Sequence, residues 1–147
     1  MTRATPSGSG KASDAGQREA LQAALAAEHA AVYGYGVVGG VLGSGSRAAV
    51  SSHAAHRGLR DQLTAQLGGD AVAAEAAYSL PFQVTNATRA RRLARELEAR
   101  CAAVYADVVA RTTGQTRVLA AQALTECALR GMTWGSKPEP FPGLDEL

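Results

Sequence analysis

The sequence predicts an all-α protein, and three of its features support that fold class. Alanine, the residue with the highest helix propensity, occupies about a fifth of the 147 positions. Aromatic residues make up 5% of the chain, a balance that favours closely packed helices over sheets. Four long segments, separated by glycine, asparagine or proline, each keep apolar residues on one helical face. A chain of this length matches one domain with a single core.

The first predicted helix begins at a capping arrangement at Asp14 and continues to about Leu42. Its apolar face carries a carboxylate in the middle, at Glu28. The positions on this face alternate in steps of four and three: Leu21, Leu25, Glu28, Val32, Tyr35, Gly39 and Leu42. Tyrosines in an apolar stripe are usually core residues with a bonded hydroxyl, and we expect this of Tyr33 and Tyr35.

The second predicted helix begins after Ser46 and ends at Leu67, where the Gly68-Gly69 pair suits a left-handed helix end. Its inward face carries His53, His56, Leu59, Leu63 and Leu67. The third predicted helix begins after the Asn86 cap and runs to about Thr112. Its inward positions are Leu93, Leu97, Cys101, Val104 and Val108.

The fourth predicted helix spans roughly Gln115 to Thr133, and Glu126 stands on the shoulder of its inward face. The predicted inward positions are Val118, Gln122, Thr125, Leu129 and Met132. The tail from Trp134 contains three prolines and cannot continue the helix.

The lengths of the connections predict the topology. A few residues separate helices one and two, or three and four, so each pair forms an antiparallel hairpin. About eighteen residues, 68–85, join the hairpins, and at ~3.3 Å each they can reach along a bundle ~30 Å tall. A four-helix bundle with one long crossover after helix two is the ferritin-like arrangement. We therefore expect a disordered tail at 1–13, the bundle at 14–133 and a tail packed on it at 134–147.

Charge and cysteine content exclude several classes of function. A formal charge of +2 is too small to indicate a nucleic-acid partner, and the arginines within 89–100 alternate with glutamates, as on a solvated face. The apolar run 24–43 contains Glu28 and several glycines, so no membrane span is predicted. Cys101 and Cys127 do not form a disulfide framework, and we expect free thiols in a cytoplasmic protein. No nucleophile elbow, phosphate loop or Cys-x-x-Cys pair is present.

Four stretches of sequence are specific as a set. They are AEHAAVYGYGVVGGVL at 27–42, HRGLRDQL at 56–63, AAYSLPFQVTN at 76–86 and FPGL at 141–144. Together they resemble the actinobacterial, alanine-rich ferritin-like domain family, which is classed as of unknown function. The resemblance covers nearly the whole folded chain. It implies a ferritin-like fold and brings no established activity with it.

The wider ferritin-like superfamily implies a metal site. Its diiron members take one Glu from each of two helices and a Glu-x-x-His pair from each of the other two. In this sequence the matching positions give five candidate metal ligands: Glu28, His53, His56, Glu98 and Glu126. Two positions depart from the pattern, because His53 replaces a carboxylate and Leu129 replaces a histidine. Iron is the cofactor that the resemblance implies for such a site.

The levels of the helices argue against a compact site. A hairpin folded near Gly45 places Glu28 opposite Asp61, about five residues or ~7 Å out of step with His56. Arg60 is then closer in height to Glu28 than either histidine is. The second hairpin places Glu98 near Leu129 and Arg130, and Glu126 near Cys101 and Ala102.

Two interpretations of Glu28 therefore remain open. In one, Glu28 is a structural carboxylate bonded to Arg60 or a histidine, in a non-enzymatic bundle that acts by self-association or by binding a partner. In the other, the five candidates form a reduced iron site of an oxidoreductase. The first needs no cofactor, and a substrate for the second is unknown. Close helix approach would explain the glycines at 34, 36, 39 and 40, within the bundle or, secondarily, between the copies of a homodimer.

Overall fold

A computed structural model describes residues 9–144 of the chain. Its helices are α1 (Ser9–Leu42), α2 (Arg47–Leu67), α3 (Ala87–Arg111) and α4 (Gly114–Thr133), with a 3₁₀ turn at Gly68–Asp70. No strand occurs among these residues. The predicted all-α fold with four helices is therefore confirmed. None of the described helices combines the length and the apolarity needed to cross a membrane.

The ends of the helices follow local capping chemistry. The Ser46 hydroxyl accepts from the Ala49 N–H at 3.4 Å, and the Asn86 side chain accepts from the Arg89 N–H at 3.0 Å. Gly68, with a φ of +64°, ends α2. The helix α1 begins earlier than predicted, at Ser9, since no proline separates that residue from Asp14. Residues 9–13 are thus helical, and the rest of the predicted disordered tail lies outside the described residues.

The connection between α2 and α3 follows α1 along its length. It begins where Asp70 binds Arg18, and the Val72 carbonyl then meets the His29 ring at 3.0 Å. Further on, the ring of Tyr78 lies 5.5 Å from that of Tyr33. This path carries the chain toward the other end of α1, from which α3 runs back antiparallel to α1.

The packing of α4 differs from the sequence prediction. The predicted inward residues Val118, Leu129 and Met132 are exposed, at 49%, 59% and 44% of their surface, as are Gln122 and Thr125. The residues that α4 buries are small instead: Ala120, Ala123, Cys127 and Gly131. Small side chains let α4 approach α3 closely, so the larger apolar residues mark the wrong face.

Close approach explains one of the glycines in α1. A Cβ at Gly34 would lie 2.6 Å from Leu97 Cδ1, so α1 and α3 are in close contact at this level. A Cβ at Gly36, Gly39 or Gly40 would meet no described atom within 4 Å. Packing inside the bundle therefore accounts for Gly34 and not for the other three.

Candidate functional site

A buried ionic network lies at the centre of the bundle, and each helix contributes one charged side chain to it. Nδ1 of His56, on α2, lies 2.7 Å from Oε2 of Glu28, on α1. Nε2 of the same ring lies 3.1 Å from Oε1 of Glu98, on α3. Arg130, on α4, donates from Nε to both Glu98 oxygens, at 3.1 and 3.2 Å. The His56 ring therefore bridges two carboxylates, and Arg130 joins the fourth helix to them.

Two tyrosines complete the hydrogen bonding of the carboxylates. The Tyr105 hydroxyl donates to Glu28 Oε1 at 2.7 Å, and the Tyr35 hydroxyl donates to Glu98 Oε1 at 2.5 Å. All four carboxylate oxygens thus accept at least one hydrogen bond. Within the described residues, Trp134 Nε1 is the one buried side-chain polar atom that has no partner. The network is therefore fully satisfied, as the burial of charge requires.

The network keeps its histidine charged at neutral pH. Burial by itself lowers the pKa of His56, but hydrogen bonds to Glu28 and Glu98 and their negative charges raise it to about 9. Burial likewise raises the pKa of Glu98, yet the bond to His56 and the charges of His56 and Arg130 outweigh it and hold that pKa below its usual range. The result is an imidazolium facing a carboxylate.

The charges of the network cancel. Glu28 accepts from a tyrosine hydroxyl and from the imidazolium, the acceptor-only role of an ionised carboxylate. Burial opposes the charge of Arg130, but the charge of Glu98 outweighs it and raises the Arg130 pKa. Two negative charges on Glu28 and Glu98 thus face two positive charges on His56 and Arg130.

The tyrosines remain protonated donors. Burial first, and then the charge of the neighbouring carboxylate, raise the pKa of Tyr35 beside Glu98 and of Tyr105 beside Glu28. Tyr35 therefore has the buried position and the bonded hydroxyl predicted from the sequence. The prediction that Tyr33 is a core residue is wrong, because 38% of its surface is exposed.

Two free thiols lie against the network, as predicted for the cysteines. Cys101 on α3 and Cys127 on α4 are both buried. A hydrogen bond to Cys127, burial and the charge of Glu28 raise the pKa of Cys101 well above its usual value. Arg130 Nη2 donates to Cys127 Sγ at 3.4 Å. At neutral pH Cys101 is thus a thiol and not a thiolate.

Three of the five predicted ligands meet in this network: Glu28, His56 and Glu98. The predicted offset between Glu28 and His56 is wrong, because the two side chains are in direct contact. That offset assumes a turn symmetric about Gly45, and the observed contact requires α2 to be displaced along α1 from that position. Arg60 does not reach Glu28; it pairs with its neighbour Asp61 at 2.8 Å.

The other two predicted ligands lie outside the network. His53 is half-buried, and burial first, then the positive charges of Arg57 and Arg60, lower its pKa. The Glu126 side chain is 59% exposed and lies 3.6 Å from Arg130 Nη1. Neither one contacts a carboxylate of the network in the described structure.

Sequence reasoning missed two members of the network. Tyr105 is not among the predicted inward positions of the third helix, although it lies seven positions after Glu98 and therefore shares a helix face with it. The sequence places Arg130 level with Glu98, but its height alone does not identify the two residues as partners. The same sequence feature could have identified both residues. Each is a polar residue one or two helical turns from an inward position, and each lies at the height of a buried carboxylate.

The residues present do not fit a dinuclear iron centre. The position expected to hold the histidine of helix four is Leu129, which is 59% exposed. Glu126 points away from the core, and the guanidinium of Arg130 contacts both oxygens of Glu98. A second iron would need oxygens that these two positions do not supply.

A cavity of about 610 Å³ lies beside the network, between α3, α4 and the C-terminal segment, residues 134–144. Its wall includes Glu98 and Cys127 on the bundle side and residues 136–139 on the other. The C-terminal segment closes against α3 at Gly143, where a Cβ would lie 2.5 Å from the Ala102 carbonyl oxygen. The cavity thus borders the edge of the network at Glu98.

Comparison with known proteins gives a family and a relative of known structure. The family model described as a domain of unknown function (DUF4439) matches residues 20–146. The crystal structure of a conserved hypothetical protein, Rv2844, from Mycobacterium tuberculosis is similar, with a TM-score of 0.79 and 37% identity. The similarity covers 83% of this chain and 89% of that one. No curated protein matches the chain.

Proposed function

We propose that this chain, which belongs to the DUF4439 family, is a non-enzymatic ferritin-like bundle that acts by binding. Its polar core is structural and takes the place of a dinuclear iron centre. The observation that carries the proposal is the charge-balanced network of Glu28, His56, Glu98 and Arg130, in which every carboxylate oxygen is already bonded.

The network supports a structural role because it links all four helices at one level. Buried ion pairs cost desolvation energy, so they contribute less to stability than to the choice among alternative packings. In an alanine-rich bundle, many helix rotations and displacements bury similar small surfaces. A network that is satisfied in one arrangement alone selects that arrangement, since any other leaves buried charges unpaired.

A binding role is supported by the surface of α4. Val118, Leu129 and Met132 are exposed apolar residues along this helix. Self-association is the form of binding that we propose to test first. Light scattering coupled to size exclusion should give a dimer mass that Leu129→Glu reduces to the monomer mass. A wild-type monomer at every concentration would leave the binding role to a different partner.

The second candidate function is an iron oxidoreductase with a reduced ligand set. It is favoured by one observation, the convergence of Glu28, His56 and Glu98 on α1, α2 and α3. Against it stand Arg130 and the outward positions of Glu126 and Leu129.

Loading with iron distinguishes the two candidates. The full chain, freed of metal with a chelator, is given Fe(II) under nitrogen and then exposed to air. We expect Fe(II) to oxidise at the rate seen in buffer, with no dinuclear ferric centre. Two iron atoms per chain, with accelerated oxidation that Glu28→Gln abolishes and Glu126→Gln keeps, would overturn the proposal.

A further inference from the structure

A set of metal-binding atoms different from the predicted one converges in the core. Among the described residues, Glu28, His56 and Cys101 each place one ligand atom within 4.8 Å of the other two. They come from α1, α2 and α3, and all three side chains are buried. The set keeps two predicted ligands and adds a sulfur. One carboxylate oxygen, one imidazole nitrogen and one thiolate sulfur form a ligand set typical of zinc.

The surroundings of His56 have the arrangement that a zinc-bound histidine needs. Its Nδ1 faces Glu28 at 2.7 Å, which leaves Nε2 to bond Glu98 at 3.1 Å. A histidine bound to a metal usually donates its other N–H to a carboxylate, which fixes the orientation of the ring. Here Glu98 is that carboxylate, and Arg130 and Tyr35 hold it in turn. The contact between Arg130 and Glu98 disfavours a second iron ion. It is compatible with Glu98 as the carboxylate that orients a metal-bound His56.

We infer that Glu28, His56 through Nδ1 and Cys101 form a binding site for a single zinc ion, oriented by Glu98. The exchange balances in atoms and in charge. Zn²⁺ enters, and one proton leaves the His56 imidazolium and one leaves the Cys101 thiol. The two positive charges that arrive replace the two that depart, so the group remains neutral. Two divalent ions in the same space would leave an excess of positive charge beside Arg130.

Zinc binding requires only small movements of the three ligand side chains. Zinc bonds of about 2.0 to 2.3 Å place tetrahedral ligand atoms roughly 3.3 to 3.8 Å apart. The 2.7 Å contact between His56 and Glu28 would therefore open by roughly half an ångström, and Cys101 would close by at most about 1.5 Å. The cavity between α3, α4 and the C-terminal segment has Glu98, the proposed outer partner of His56, in its wall.

Cobalt(II) tests the site, because a thiolate bound to cobalt gives a near-ultraviolet charge-transfer band. The full chain is stripped with a chelator and titrated with Co(II). We expect the band to saturate at one cobalt per chain and to disappear when zinc is added. Cys101→Ser should lose the band, whereas the matched control Cys127→Ser should keep it. Absence of the band from the wild type, or its persistence in Cys101→Ser, would overturn the inference.

A measurement on the wild type covers the case in which the serine variants do not fold. X-ray absorption at the zinc edge of the zinc-loaded chain should show one sulfur and otherwise nitrogen or oxygen neighbours. Zinc with no sulfur neighbour, or with two, would contradict the assignment. The proposed function fails separately, through a dinuclear iron centre with accelerated oxidation, so the two outcomes are distinguishable.

Discussion

The helices α1 and α4 both pack on α3, but they do so with opposite kinds of side chain. The inner face of α1 buries large groups, among them Leu25, Glu28 and Tyr35. The inner face of α4 buries Ala120, Ala123 and Gly131, whereas Val118, Leu129 and Met132 of the same helix are exposed. The α1 side therefore depends on side-chain volume and on the ionic network. The α4 side depends on close backbone approach, and the ion pair between Arg130 and Glu98 is what joins it to the network.

The largest effect is expected where the two sides meet, at Glu98. Glu98→Gln keeps the shape of the side chain but leaves the charges of His56 and Arg130 without one of their carboxylates. We expect the free energy of unfolding, measured in urea with a chelator present, to fall by about 3–5 kcal/mol. The matched control is Glu126→Gln, an exposed partner of Arg130, which should change it by less than about 1 kcal/mol. Equal effects of the two substitutions would contradict the assigned network.

Truncation of one leucine on each helix compares the two faces directly. Leu25→Ala on α1 empties a fully buried position and should cost about 2–5 kcal/mol. Leu129→Ala on α4 removes an exposed side chain and should change the stability by no more than about 0.5 kcal/mol. Urea unfolding of both variants measures the difference. A large loss of stability in Leu129→Ala would show that α4 buries the face predicted from the sequence.

Raising the pH should weaken the network, because His56 at its centre loses its positive charge. The folded pKa of His56, about 9, exceeds its ordinary value of 6.5. The contribution of charged His56 to the free energy of unfolding is therefore fully present below pH 6.5 and is lost as the pH rises through 9. The total loss is about 3 kcal/mol, which urea unfolding between these pH values measures in the presence of a chelator. His56→Gln should remove the dependence, and stability that rises across this range would contradict the prediction.

The smallest effect tests close approach between α1 and α3. Gly34→Ala places a methyl group against Leu97, which must shift, and should lower the free energy of unfolding by about 1–3 kcal/mol. Gly36→Ala, two positions away, meets no described atom and should instead raise it by about 0.5–1 kcal/mol through helix propensity. Thermal unfolding of the two variants gives the signs. Stabilisation by both substitutions would mean that α1 and α3 do not touch at this level.

The candidate site was predictable residue by residue and not as a constellation. Glu28 and His56 are visible as polar positions on otherwise apolar helix faces, a pattern that depends on one helix at a time. Their contact depends on how far α2 is displaced along α1, which the short turn after α1 leaves open. Apolar spacing does not identify Arg130, because a long arginine side chain can reach inward from the edge of a helix face.

By itself the sequence determined the four helices, most of their ends and the inward faces of α1, α2 and α3. Caps, glycines and apolar spacing act over a few residues and do not need the rest of the fold. The tertiary structure alone decided which face α4 buries and which donors occupy Glu28 and Glu98. Small residues pack as well as large ones when helices come close, and hydrogen bonds form only between side chains at the same height. Both conditions depend on how whole helices rotate and shift relative to one another. The local spacing of residues determines neither the rotation nor the shift.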